Sequence, residues 1–454
     1  MPYLFKKSTL LLLIVFILNS CSDYFIDHNE SIKLPKLYLG SNESQVKFDD
    51  KWWEEYNSDE LNAFVKESLS KNLTLKIAKA EVKEARAIAK KYNADRYPNV
   101  GLSYDFDKEK TNGVVSDDSI YSLNPTYTLD LWGANYALYK SYENKYIAQQ
   151  FEAKAAAMTI ISEVVSTWLK IRFGQKEYDI LNEQLNAYEK IVEYQTNNYT
   201  SGNSADQGIL ENKNKIHQYK IKAYQNIIKV NGLKYELAYL LGRSPAKDLN
   251  IKNGSLPNLV SLPKKGLSSD LLKDRPDIQS AWYTMIAAGW SEKNSKLAML
   301  PTFKISLEFS DAAISSMLNS WSAITSTINS NVADWGRSRA SVAQGEAIAE
   351  QQEVSYIDTI YKAIVEVRNE LIRNEHQLMQ ISWFENQLKL ANSEYNETKV
   401  NVENGTASPI SVLFKLIDVY DDELSLMTEN KNINLIRVDL YNSLGGSVWD
   451  HDKG

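Results

Sequence analysis

The feature that most constrains this chain is that it carries itself twice, at one fixed offset. Pro98 and Pro301 lie 203 positions apart, as do Trp132-Gly133 and Trp335-Gly336, Gly202 and Gly405, and Leu241-Gly242 and Leu444-Gly445. Leu69/Leu272, Ala85/Ala288, Phe106/Phe309, Leu210/Leu413, Asn231/Asn434 and Leu237/Leu440 keep the same register without a gap. Such a period far exceeds the ~20–50 residues of solenoid and propeller units. Each copy must therefore hold several elements, and both copies must hold the same ones.

Local patterns supply those elements. Each copy opens with an Ala-, Leu-, Lys- and Glu-bearing stretch, Asp59 to Asp95 and Ser268 to Ala298, that reads as helix. Ser68 or Ser70, and Asp270 or Asp274, offer capping side chains near the starts. Pro98 and Pro301 end the helical path. Alternation of period two follows, the mark of a strand with two unlike faces. Val100, Leu102, Tyr104 and Phe106 alternate with polar residues, and copy two matches them with Phe303, Ile305, Leu307 and Phe309. A second alternating strand reads Tyr121, Leu123, Tyr127, Leu129 and Leu131 in copy one, and Ile324, Ile328 and Val332 in copy two. Thr111 to Asp118 and Asp311 to Asn319 would turn the hairpins.

Long helical runs come next, Ala134 to about Tyr199 and Arg337 to about Val402, each a rod of ~100 Å at ~1.5 Å per residue. Gly202 and Gly405 stop them, since glycine accepts the left-handed backbone of a helix end. A shorter helix returns over Ala205 to Leu241 and Ser408 to Leu444, and joined to the opening helix of the next segment it again spans ~100 Å. The strand pattern leaves two readings open: a soluble sheet with one face on a core, or part of a membrane barrel with its apolar face outward. Four strands cannot close a barrel alone, so the second reading requires several copies.

The amino terminus narrows the choice. Lys6 and Lys7 precede an apolar run from Leu10 to Leu18 and then Asn19-Ser20-Cys21, the layout of a secretory signal. Leu18-Asn19-Ser20-Cys21 resembles a lipobox, in which the cysteine becomes the lipidated first residue; an ordinary signal with a stray cysteine is the alternative. Cys21 is the chain's one cysteine, so neither an internal disulfide nor a Cys-rich zinc site is available. The four histidines are scattered, and no metal site is expected. A net charge of −7 over 454 residues argues against a nucleic-acid partner. No Gly-rich phosphate loop, nucleophile elbow or supported carboxylate pair is present, so neither an enzyme nor a cofactor is expected.

Taken together these residues resemble the outer membrane efflux protein family, the TolC-like outlet channels, and in particular its lipoprotein branch. Trp52-Trp53, Asp59, Leu61, Leu69, Asn72, Leu75 and Ala78 are similar to the family's opening segment. Arg275-Pro276-Asp277-Ile278 is similar to its Arg-Pro-Asp-Ile signature, and Thr128 to Gly133 to the end of its second strand. Tyr199–Ser204 and Asn404–Ser408 are similar to its glycine-bearing helix turns. The resemblance runs from about Lys51 to Trp449.

It implies a mainly α, α+β chain, internally duplicated. Three copies would build a twelve-stranded outer-membrane β-barrel, four strands from each, continued by a long periplasmic α-helical barrel. The implied division is a signal peptide over 1–20, a lipidated segment over 21–58, repeats over 59–267 and 268–445, and a tail over 446–454. The implied function is a passive duct in a tripartite efflux system of a Gram-negative bacterium, docked to a periplasmic adaptor and an inner-membrane RND-type transporter, and anchored in outer-membrane lipid through Cys21. The family's tip often carries acids six and nine places after the second turn glycine, where this chain has Ser411 and Phe414. The aperture would then involve Gly202, Asp206, Glu211, Gly405, Ser411, Phe414 and Asp418, with Phe414 as an apolar constriction. Arg275, Pro276, Asp277, Trp132, Gly133, Trp335 and Gly336 would be structural. The outlet of a type I protein secretion system and a lipid-anchored coiled-coil adaptor remain competing readings.

Overall fold

The computed structural model describes residues 51–111, 114–200, 206–246, 249–252, 254–262, 275–310, 323–330 and 333–445. A short 3-10 turn, Trp52–Tyr56, precedes α1 (Asp59–Lys71) and α2 (Leu73–Ala94). Strands β1 (Asn99–Thr111) and β2 (Val114–Leu129) lead into the long α3 (Ala134–Thr200) and the returning α4 (Asp206–Leu240). The second copy supplies α5 (Pro276–Leu297), β3 (Thr302–Ser310), β4 (Ala323–Asn329), α6 (Arg337–Glu403) and α7 (Pro409–Ser443). Both long helices have 67 residues, ~100 Å, and both returning helices have 35, ~50 Å.

The opening stretch departs from expectation. It is two helices, and neither Ser68 nor Ser70 caps one. Ser58 caps α1, accepting from the Leu61 N–H at 3.2 Å, and Asn72 caps α2, accepting from the Leu75 N–H at 3.0 Å. Ser68 and Ser70 stand in the last turn of α1 and donate back to the Val65 and Glu67 carbonyls. The extended ψ of Asn72 (135°) breaks the path, so the cap belongs at the break. Asp270 and Asp274 lie outside the described residues. Helix α5 opens on Pro276, whose missing N–H is harmless in a first turn, with Asp277 beside the positive end of the dipole.

The returning helices also stack differently from expectation. Each meets the opening helix of its own copy rather than that of the next. The buried Asn72 Nδ2 donates to the Leu240 carbonyl at the end of α4 (2.8 Å), and Arg275 Nη1 donates to the Ser443 carbonyl at the end of α7 (2.5 Å). Both pairs are related by the 203-residue offset. At each joint a glycine with positive φ, Gly242 (68°) or Gly445 (75°), lets the chain leave against the facing backbone.

The four strands form one antiparallel sheet in the order β1-β2-β3-β4. Tyr104 faces Tyr121, Leu129 faces Phe303, and Phe303 faces Ile328. The first hairpin is longer than the expected turn over Thr111 to Asp118 allows, for the ladder continues to Thr111 opposite Val114. The second expected turn, Asp311 to Asn319, lies outside the described residues.

The core sits far from the sheet in sequence terms, around the α1–α2 joint. Trp52, Leu61, Val65 and Leu75 pack with Val164, Trp168 and Leu169 of α3, Leu237 and Leu241 near the end of α4, and Tyr441 of α7. The Trp52 and Tyr441 rings stack at 4.9 Å. A smaller cluster, with Leu181, Tyr188 and Ile191 of α3, Tyr219 and Ala223 of α4 and Ile417 of α7, lies nearer the glycine turns.

Candidate functional site

The sheet has one apolar and one polar face, as pleating and register require. Val100, Leu102, Tyr104 and Phe106 share a face with Leu123, Tyr127, Phe303, Ile305 and Ile328. The other carries Ser103, Asp105, Asp107, Lys304, Ser306, Glu308, Thr325 and Asn329. The apolar face covers no core: Leu102 is 75% exposed and Ile328 65%. A soluble sheet would bury those side chains, so that reading is overturned. Bare apolar residues over one face and polar ones over the other suit a sheet between lipid and water. Among the described residues no helix is long and apolar enough to cross a membrane.

Below the sheet the two Trp-Gly turns diverge. Trp132 Nε1 donates to the Pro301 carbonyl at 2.8 Å, tying copy one to copy two. Asp130 accepts from the Asn135 and Tyr136 N–H groups and so caps α3, with Gly133 at φ 77°. In copy two the capping carboxylate stands one place before the tryptophan instead of two: Asp334 accepts from the Gly336 and Ser338 N–H groups. Trp335 is thereby drawn to φ 54°, next to Gly336 at 91°, and is 99% exposed.

At the α5 start, Arg275 is buried, its side chain 8% exposed. It forms a fork with Asp277 (3.0 and 2.6 Å) and reaches Glu366 of α6 at 3.0 Å. Burial opposes its charge, but the hydrogen bonds and fields of Asp277 and Glu366 outweigh that and hold its affinity for the proton above the ordinary value. The signature thus acts as a three-way clamp of α5, α6 and α7.

The expected aperture residues gather only in part. Gly202 lies outside the described residues, and Asp206 is described only as the first residue of α4. Glu211 is exposed on α4. Gly405, at φ 75°, ends α6, with the Thr406 N–H closing on the Asn401 carbonyl at 2.8 Å. Ser411, Phe414 and Asp418 fall at helix spacings three and four apart and share a face of α7. Phe414 is 39% exposed, whereas Leu413 and Ile417 pack into the smaller cluster.

Two features escaped the sequence. Lys415 pairs with Glu394 of α6 (2.8 Å) and Asp418 (3.3 Å), which raise its proton affinity. Asp421 of α7 accepts from Gln184 Nε2 of α3 at 2.7 Å and lies 3.5 Å from the Tyr219 hydroxyl of α4. Burial first, and then Asp421, pushes the Tyr219 hydroxyl's proton affinity up. The Lys415–Asp418 spacing of three is a local signal, but none marks the Gln184–Asp421 contact, whose partners are 237 positions apart. Among the described residues no cluster of three or more His, Cys, Asp or Glu side chains forms a metal site.

A sheet with one lipid-type face, set at one end of two ~100 Å helical hairpins, defines the class: a subunit of an outer-membrane channel carried on a helical stalk. The sequence model of the family described as Outer membrane efflux protein matches residues 64–220 and again 267–446, and the chain belongs to that family. Among its relatives is the cation efflux system protein CusC of Escherichia coli strain K12, 23% identical over 407 residues that cover 87% of this chain and 88% of CusC. The probable outer membrane lipoprotein SilC of Salmonella typhimurium is 22% identical over 98% of this chain and 99% of its own length. Among solved structures, the outer-membrane channel OprN superposes with a TM-score of 0.80 at 20% identity, covering 91% of this chain and 97% of that one. This protein is accordingly an efflux channel of the outer membrane.

Proposed function

We infer that the channel is a homotrimer and serves as the passive outlet of a tripartite pump, taking small toxic molecules from a periplasmic adaptor and an inner-membrane RND-type transporter. The observation that carries this reading is the bare apolar face of the sheet, whose strands run into the helical stalk at the turns that the Trp132–Pro301 bond ties together. A duct needs a lipid-facing end and a water-filled wall in one body. The repeats over 59–267 and 268–445 would then each supply two strands and one helical hairpin. Cys21 anchors the chain by its acyl groups, while the sheet makes the crossing. The same duct chemistry would serve a type I secretion outlet. The cargo is chosen by the pump, since a wide wet tube with few converging side chains selects little.

The aperture lies at the glycine turns. Ser411, Phe414 and Asp418 face the axis, and three Phe414 rings close it by excluding water and ions. Reconstitution of the purified protein in planar bilayers tests both parts. The trimer should insert with a low conductance, and Phe414→Ser should raise it without any partner present. An intact trimer whose conductance is unchanged by Phe414→Ser makes that ring packing, not gate; a protein that never conducts removes the duct.

A further inference from the structure

The apolar face of the sheet has a lower bound, and that bound places the bilayer. On β1 the run Val100, Leu102, Tyr104 and Phe106 begins at the stalk end, and Lys108 interrupts it on the same face. The hydrocarbon border on the stalk side therefore falls just before β1 and just after β2, where Tyr97 and Leu131 are both more than half exposed. The first turns of α3 run about 5–10 Å beyond that border, the depth of a headgroup layer.

At that depth cations sit on aromatic rings. Arg96 Cζ stands 5.0 Å from the Tyr136 ring centre and 5.2 Å from that of Tyr139, and Lys140 Nζ lies 5.8 and 5.6 Å from the same two. Tyr136 meets Trp290 of α5 edge-on at 5.9 Å, and Lys293 stands over that indole at 5.1 Å. Helix α3 meets α2 through Tyr142, stacked on Tyr92, and α5 through Ser141, which donates to the Ala287 carbonyl. Tyr136, Lys140 and Glu143, spaced four and three, form a strip turned away from both, with Tyr139 at its edge, and Tyr136 is exposed. Such a mixture suits a membrane interface, where the ring faces hydrocarbon and the cation water.

The charges there are not balanced. Glu143 accepts from Lys140 and from the Tyr139 hydroxyl, each at 2.5 Å, and so offsets Lys140. Arg96 has no such partner: among the described residues no carboxylate pairs with it, and its guanidinium donates to the Asn93 side-chain oxygen at 3.0 Å. The turns flanking the sheet, 87–97, 130–145, 290–300 and 333–348, hold nine basic and six acidic side chains, against 51 and 58 in the whole chain, so this band is basic on an acidic protein. Two of the six acids, Asp130 and Asp334, are occupied as helix caps. We propose that this collar binds the phosphate of an anionic phospholipid in the periplasmic leaflet. Arg96 supplies the charge and a planar fork for two phosphate oxygens, and Tyr136, Tyr139 and Trp290 supply the bed on which the lipid lies. The site rests on the crossing of the membrane by the sheet, and is independent of pump, cargo and aperture.

Native mass spectrometry of the full-length protein, released in mild detergent from vesicles of equal phosphatidylcholine and phosphatidylglycerol, tests it. The protein should retain phosphatidylglycerol over phosphatidylcholine by about fivefold, the weight of one basic residue at an anionic surface. Arg96→Gln should remove that preference, and Arg96→Lys should keep part of it, because the charge stays while the fork is lost. Arg86→Gln, on α2 deeper in the stalk, removes the same charge away from the collar and should leave the preference unchanged. Equal retention of both lipids, an unchanged preference in Arg96→Gln, or an equal loss in Arg86→Gln overturns the collar and leaves the membrane crossing standing. Displacement of the lipid by millimolar inorganic phosphate makes this a site for a free anion and overturns the lipid as its ligand. A protein that does not enter the vesicles at all overturns the crossing itself.

Discussion

Placing a single methyl group at the α1–α2 joint tests whether the returning helix really ends against its own copy. In Gly242→Ala the new Cβ would stand 2.3 Å from the Lys71 carbonyl oxygen and 2.7 Å from its carbon, both backbone atoms. Carbon and oxygen rest no closer than about 3.3 Å, so the joint must retreat by about 1 Å. A φ of 68° adds about 1–2 kcal/mol for an L side chain, and forced repacking about 1–3 kcal/mol. The retreat also stretches the 2.8 Å bond from Asn72 to Leu240, whose loss costs about 1 kcal/mol. A destabilisation of about 3–6 kcal/mol is therefore expected, large for one methyl group. Gly133→Ala separates the two causes, since Gly133 has φ 77° but open space around its Cβ, and should lose only about 1–2 kcal/mol. Gly232→Ala, within α4 and also in open space, should be neutral or gain up to about 1 kcal/mol. Guanidinium unfolding of the detergent-solubilised protein reads the order of the midpoints. If Gly242→Ala unfolds no earlier than Gly133→Ala, the close approach at the joint is wrong.

Two further perturbations follow from the same joints. Arg275→Met keeps the buried stem but removes the donor to the Ser443 carbonyl, while Asp277 and Glu366, both well exposed, regain water; a loss of about 1–3 kcal/mol is expected in the same unfolding measurement, below the cost of breaking a fully buried ion pair. Arg243 grips Glu67 with two hydrogen bonds (3.0 and 2.6 Å) and holds its carboxyl below the ordinary value of 4.5, so this pair's contribution is present above that value and is lost as pH falls through the lower folded value. Arg243→Gln should accordingly flatten the fall of the unfolding midpoint below about pH 4.5, and an unchanged slope would remove the pair from acid lability.

Much of this architecture was legible because it is set by neighbours a few positions apart. The limits of α3 and α6, read from an apolar and Ala-rich run between a Trp-Gly turn and a glycine, fall within a residue or so of those observed. The strands carry a period of two, which pleating imposes whatever the surroundings. The cap at Asn72 was missed because Ser68 and Ser70 have equal capping chemistry, and only the break in the helical path selects among them. Arg275 and Asn72 occupy the same place in the repeat and reach equivalent carbonyls, those of Ser443 and Leu240, yet one is a charged clamp and the other a neutral cap; the letters do not reveal that shared task.

The duplication, the order of elements in each copy and the apolar side of each strand are all properties of an offset or a local period, and so stand in the chain before it folds. Tertiary structure alone decided what those faces meet. It left the sheet's apolar face bare, brought Gln184 to Asp421 across 237 positions, and joined each returning helix to its own copy. The physical reason is one of range: helix and strand are fixed by dihedral preferences and hydrogen bonds over a few residues, whereas a seam is fixed by which distant surfaces the folded path brings within contact distance.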